Sequence, residues 1–125
     1  MNENHYDVIV IGAGAAGLTA GIYLSRARVK TLILNEGTVG GQMVLTHEIA
    51  NYPGVDSISG YELARNMKTQ AQKFGCVIKS NLKISKLDIT DKLKTVEVNG
   101  KQTYTSDAVI IATGSKTVAP SPASL

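Results

Sequence analysis

The sequence predicts an α/β fold in which a parallel sheet with flanking helices carries an inserted antiparallel β-meander. Three observations predict it. The runs Tyr6 to Ile11, Thr31 to Leu34 and Ala108 to Ala112 are almost continuously apolar, as strands covered on both faces are. The first of them ends in Gly12-Ala13-Gly14-Ala15-Ala16-Gly17, a turn that opens a stretch of small residues and good helix formers. From Lys83 onward the texture changes to alternation of apolar and polar residues.

Each element follows from local chemistry. The first helix is expected from Ala15 to about Arg28, with Leu18, Ile22 and Tyr23 facing inward. Arg26 and Arg28 would then sit at the negative end of its dipole. Thr31 to Leu34 closes a strand, helix, strand unit of about thirty residues. A polar, Gly-rich passage follows, holding Gly40-Gly41-Gln42 and the turn-forming Asn51-Tyr52-Pro53-Gly54. Ser59 and Glu62 form a capping-box pattern ahead of Leu63, Met67, Ala71 and Phe74 at helical spacing, and Gly75 stops that helix. Cys76 to Lys79 reads as the third parallel strand, with Cys76 buried. A meander at about 83–105 turns on Asn99-Gly100, a strong hairpin signal. Ala108 to Ala112 reads as another buried parallel strand. Residues 1–116 are thus expected to form one domain, and 117–125, with Pro120 and Pro122, a linker or a cut end.

Composition excludes several functions. Thirteen Lys and Arg against ten Asp and Glu give a net charge of +3. The basic residues are scattered from Arg26 to Lys116 and aromatics are few, which argues against nucleic-acid binding. No apolar run near the start is long enough for a signal peptide or a membrane span, so a cytoplasmic protein is expected. Cys76 is alone, leaving no disulfide framework, zinc site or C-x-x-C pair within these residues. Neither His5 nor His47 is tied by spacing to a carboxylate or nucleophile, so no catalytic residue and no metal ligand is assigned.

The chemistry lies in the glycines. Gly12 permits a tight turn after a strand, Gly14 lets backbone approach a pyrophosphate, and Gly17 lets the helix pack closely on the sheet. The N–H groups at Ala15 and Ala16 open the helix and face the phosphates with its positive dipole end. This is the dinucleotide-binding fingerprint of a Rossmann-like fold. It calls for an acidic residue about twenty positions on to meet the ribose hydroxyls. Glu36 lies 19 residues after Gly17 and Asn35 lies 18 after it. A carboxylate there disfavours a ribose 2′-phosphate, but the unit by itself does not separate FAD from NAD.

Taken together, Gly12-Ala-Gly-Ala-Ala-Gly17, Gly40-Gly41-Gln42, Asn51-Tyr52-Pro53-Gly54 and Ala112-Thr113-Gly114-Ser115 resemble, in order and separation, the FAD-binding part of the bacterial-type thioredoxin reductase family. The similarity runs from about Tyr6 to Lys116. The inserted meander also matches flavoproteins with two dinucleotide-binding domains. The resemblance implies FAD as cofactor. Gly40 and Gly41 would pass the pyrophosphate and ribityl chain, Gln42 and Asn51 the flavin end, the backbone at Ile84 the adenine, and Ala112, Thr113 and Gly114 the pocket wall. Gln42 as a surface polar residue, and Asn51 as part of the turn alone, remain open alternatives. Many relatives carry Glu directly after the second strand where this chain has Asn35, so the ribose contact falls to Asn35 or Glu36.

In the whole enzyme the family implies electron flow from NADPH through FAD to a cysteine pair and then to thioredoxin, in a homodimer. The NADPH domain, the C-x-x-C and a returning carboxy-terminal segment are absent from these residues, so the chain is expected to be catalytically incomplete. Its unfinished sheet is expected to leave apolar surface or a strand edge that favours self-association. Two alternatives stand beside this one. The module could serve a related ferredoxin-NADP or peroxiredoxin reductase, or it could be a non-catalytic nucleotide-binding piece.

Overall fold

The first apolar run forms β1 (His5–Ile11), followed by α1 (Ala15–Arg26) and β2 (Thr31–Leu34). After α2 (Gly60–Lys73) come β3 (Val77–Lys79), β4 (Ile84–Asp88), β5 (Lys94–Val98) and β6 (Gln102–Ile111). The computed structural model describes residues 4–40 and 60–114. Gly41, Gln42, His47, Asn51, the Tyr52-Pro53-Gly54 turn, the Ser59 half of the capping box and the expected boundary after Lys116 lie outside the described residues.

One sheet holds all six strands in the order β3-β2-β1-β6-β5-β4. β3, β2, β1 and β6 run parallel, whereas β6, β5 and β4 form the antiparallel meander. The α/β class with an inserted meander is therefore the fold. The meander turns where Lys101 N–H donates to Val98 carbonyl oxygen, and Asn99 and Gly100 both take positive φ, 56° and 66°. That pairing of residue types is what a type I′ turn requires.

Two cores lie on opposite faces of the sheet. On one, Val10 and Ile33 pack beneath Leu18 and Ile22 of α1 and Leu63, Ala64, Met67 and Ala71 of α2. On the other, Ile9, Ile11, Leu32 and Leu34 are covered by Val96, Val98 and Tyr104. Val96 and Val98 belong to β5, three places from β2 in the strand order, so the sheet curls back over its own face. β1 and β2 are consequently buried on both sides, as their apolar texture requires. Cys76, 4% exposed, belongs to the helical-side core, and burial pushes its thiol up from the ordinary value. A packing role suits it.

Local signals mislead at four points. α1 ends at Arg26 rather than near Arg28, because Arg28 adopts a left-handed φ of 63°. Arg28 N–H then donates to Ser25 oxygen and Val29 N–H to Leu24 oxygen, closing a Schellman-type cap around a residue that is usually glycine. Tyr23 and Phe74 do not face inward: they are 66% and 42% exposed, and the Arg26 guanidinium lies 5.9 and 5.8 Å from their ring centres. β3 begins at Val77, with buried Cys76 just ahead of it.

The fourth departure concerns Ala108 to Ala112. This segment is parallel to β1, but it is neither separate nor buried. It continues the last meander strand as the ten-residue β6, whose first half pairs with β5 and whose Thr105 to Ile111 stretch pairs with β1. β5 leaves it after Ser106, so Ile110 and Ile111 are 37% and 54% exposed.

Candidate nucleotide-binding site

The carboxyl ends of β1 and β2 converge with the start of β4 and the exit of β6. Gly12 N–H donates to Leu34 oxygen at 2.8 Å, and Ala112 N–H donates to Ile11 oxygen at 2.8 Å. These bonds place the glycine turn between the ends of two parallel neighbours. That is the crevice beyond the strand ends where open α/β sheets bind ligands.

The glycines of the turn are used differently. Gly12 has φ 113°, and a Cβ on it would run into the carbonyl of Ala112, with Thr113 Cα at 3.0 Å. A Cβ on Gly17 would strike the Gly12 carbonyl, 2.8 Å from its carbon. Backbone packing thus demands glycine at both. Gly14 is different: its φ is −81°, and among the described residues a Cβ there would meet only Gly40 oxygen, at 3.9 Å. The described residues leave that space open at the mouth of α1.

Gly14 is the amino-terminal cap of α1 and supplies no side-chain hydrogen bond, and no acidic residue occupies the first turn. Ala15 and Ala16 are exposed. The first N–H groups of a helix have no partner within it, so this terminus presents donors and a positive dipole end to the open space. The chemistry of such a donor set fits an anion, a phosphate above all.

Residues 35–40 cross the turn. Asn35 Oδ1 accepts the Ala13 N–H at 3.1 Å, and its Nδ2 donates to Gly37 oxygen at 2.7 Å. Gly40 N–H donates to Ala13 oxygen at 2.7 Å. Glu36 Oε2 accepts the Ile84 N–H at 3.0 Å, tying the exit of β2 to the start of β4. Of the residues singled out by sequence, Gly12, Gly14, Ala15, Ala16, Gly17, Asn35, Glu36, Gly40, Ile84, Ala112 and Thr113 therefore gather around one crevice. Gly114 follows directly, at φ 68°.

Sequence reasoning missed Gly21. A Cβ there would lie 2.6 Å from Ile33 Cδ1 and 3.2 Å from Cys76 Sγ, so α1 stays close to the sheet one turn beyond Gly17. Its signal was a small residue four positions after Gly17, on the same helical face.

A Rossmann-like crevice with a glycine turn, beside an inserted meander, defines a dinucleotide-binding fold class. The profile of the pyridine nucleotide-disulphide oxidoreductase family matches residues 6–124, and the chain belongs to that family. It is similar to the thioredoxin reductase of Peptoclostridium litorale, at 46% identity over 114 residues, covering 90% of this chain and 35% of that protein. Among solved structures, a thioredoxin reductase from Gloeobacter violaceus superposes with a TM-score of 0.86 at 35% identity, over 96% of this chain and 40% of that one. A ferredoxin-flavin thioredoxin reductase from Clostridium acetobutylicum gives 0.77 at 27% identity, over 93% of this chain and 40% of that one. The chain thus spans about a third of the length of the curated relatives it matches. Among the described residues, no helix is long and apolar enough to cross a membrane.

Proposed function

We propose that this chain is the FAD-binding part of a thioredoxin reductase-like oxidoreductase of the cytoplasm. The observation that carries the proposal is Gly14: packing among the described residues does not demand a glycine there, and the space it leaves faces uncapped helix N–H groups. Gly12, Gly14, Ala15, Ala16 and Gly17 cradle the pyrophosphate, and the ribose contact comes from the exit of β2, at Asn35 or Glu36. By the family resemblance, contact with the pyrophosphate and ribityl chain is assigned to Gly40 and Gly41, and contact with the flavin end to Gln42 and Asn51. The Ile84 backbone stands at the adenine, and Ala112, Thr113 and Gly114 form a wall.

FAD, when bound, supplies the redox chemistry of the family. This chain's residues bind and orient it. In the whole enzyme NADPH is the reductant, and thioredoxin takes the electrons through a cysteine pair. Cys76 is the single cysteine of these residues and is buried, so that pair lies elsewhere. The resemblance to a ferredoxin-flavin enzyme supports a second reading, in which the same module serves a different electron donor.

The test is retention of flavin. After incubation with FAD and gel filtration, the protein peak is expected to carry flavin absorbance; a colourless peak would sink the proposal. Association is a further expectation, because Ile110 and Ile111 lie exposed on β6 where β5 has left it. Light scattering is expected to report a dimer, the form proposed for the whole enzyme, or a larger species. A monomer of high thermal stability would contradict this.

A further inference from the structure

We infer that Asn35 is a positioning residue that clasps the phosphate turn, and that its carboxamide makes no contact with the ribose. The inference rests on the FAD-binding reading above and deepens it. Asn35 stands where many relatives carry the ribose-binding carboxylate, yet both ends of its side chain are engaged within the protein. Its oxygen accepts the Ala13 N–H and its nitrogen donates a hydrogen bond to Gly37 oxygen. A donor on one side and a carbonyl on the other fix the orientation of the amide.

Ala13 is gripped twice by one loop, through its N–H by Asn35 and through its carbonyl oxygen by Gly40 N–H. It is 1% exposed, so neither bond competes with bulk water. The main chain of Asn35 is anchored as well: its N–H donates to Lys79 oxygen and its carbonyl accepts from Leu82 N–H. Gly37 oxygen also accepts the Asn81 N–H, at 3.1 Å. The exits of β1, β2 and β3 are thereby joined at one residue. With the peptide groups on both sides of Ala13 held, the course of the turn is set, and the N–H groups that follow are aimed before any phosphate arrives. Binding then meets a smaller ordering cost. Glu36, exposed and, among the described residues, bonded to the Ile84 N–H, is the carboxylate left for the ribose.

An amide is required because one group must accept and donate at opposite ends. Aspartate accepts the Ala13 N–H but turns its second oxygen on Gly37 oxygen, and leucine does neither. Titration of the chain with FAD, and separately with ADP, is expected to show both ligands weakened about tenfold or more by N35D and by N35L. N35D is expected to recover at acid pH, where its protonated carboxyl donates to Gly37 oxygen; N35L is not. Either variant binding both ligands within about twofold of the parent, whatever its thermal stability, overturns the inference. So does tighter binding by N35D. In the unliganded parent, the Ala13 amide is expected to exchange about tenfold or more slowly than those of Ala15 and Ala16. Equal exchange overturns the clasp even if no variant folds. Should the parent bind neither FAD nor ADP, the proposed function fails, and the clasp stands or falls on that exchange measurement.

Discussion

Gly17→Ala is expected to unseat α1 from the glycine turn, costing about 3 kcal/mol of stability and most of the affinity for FAD. The added Cβ would press on the Gly12 carbonyl, with the carbonyl carbon at 2.8 Å. Both partners are backbone, so no rotamer change relieves the contact. Only a shift of the helix does, and that moves the N–H groups of Ala15 and Ala16 away from the crevice. Gly14→Ala is the control. Among the described residues its Cβ enters open space, 3.9 Å from Gly40 oxygen, so thermal stability should be unchanged. Its FAD affinity should fall, because the methyl group takes the room kept for the phosphates. Thermal melts and flavin titration of the two variants check this together. If Gly14→Ala binds FAD as the parent does, the open space is not a phosphate site.

Ile33→Ala is the second large effect, at about 3–5 kcal/mol. Ile33 is 0% exposed, in the middle strand of the helical-side core, and its Cδ1 fills the notch left by Gly21. A loss of that size is a large share of the whole stability of a domain, which is of order 5–15 kcal/mol. Denaturant unfolding should show it as a lower midpoint with an unchanged slope. The notch makes a sharper test. Gly21→Ala puts a methyl 2.6 Å from Ile33 Cδ1 and should destabilise, whereas Ile33→Val removes that same terminal carbon. The double variant should be more stable than the sum of the two single losses implies. Strict additivity would show that α1 and β2 do not meet as described.

The contacts of Gly17 and Ile33 join segments that are not neighbours along the chain, and such contacts are not legible in a sequence. β2 is readable at its observed bounds because a β-branched threonine followed by three apolar residues, between Lys30 and Asn35, leaves little choice. The Asn99-Gly100 turn was readable because its residue types are those that tolerate positive φ. The exposure of Ile110 and Ile111 was not, since an apolar run declares a strand but says nothing of whether a neighbour continues beside it. Tyr23 and Phe74 escaped for a similar reason: spacing marks a face, but both rings lie at the surface beside the Arg26 guanidinium. In the site, the glycine spacing announced a phosphate turn. Counting along the chain placed Asn35 and Glu36 near the ribose but could not show that the first is bonded to Ala13 and the second to Ile84.

The pairing of β1 with β6 also governs how the chain reaches its fold. His5 lies opposite Thr105, and its ring nitrogen Nδ1 is 2.8 Å from the Thr105 hydroxyl across a sequence separation of 100 residues. Local events can assemble β1, α1 and β2 early, but closing so long a loop is entropically costly, and topologies dominated by such pairings fold slowly. Until β6 arrives, one edge of β1 stays open, next to the turn that the site depends on. The slow step of folding is therefore expected to be the docking of the meander, and the apolar edge of β1 is the surface most prone to wrong pairing while the chain waits for it.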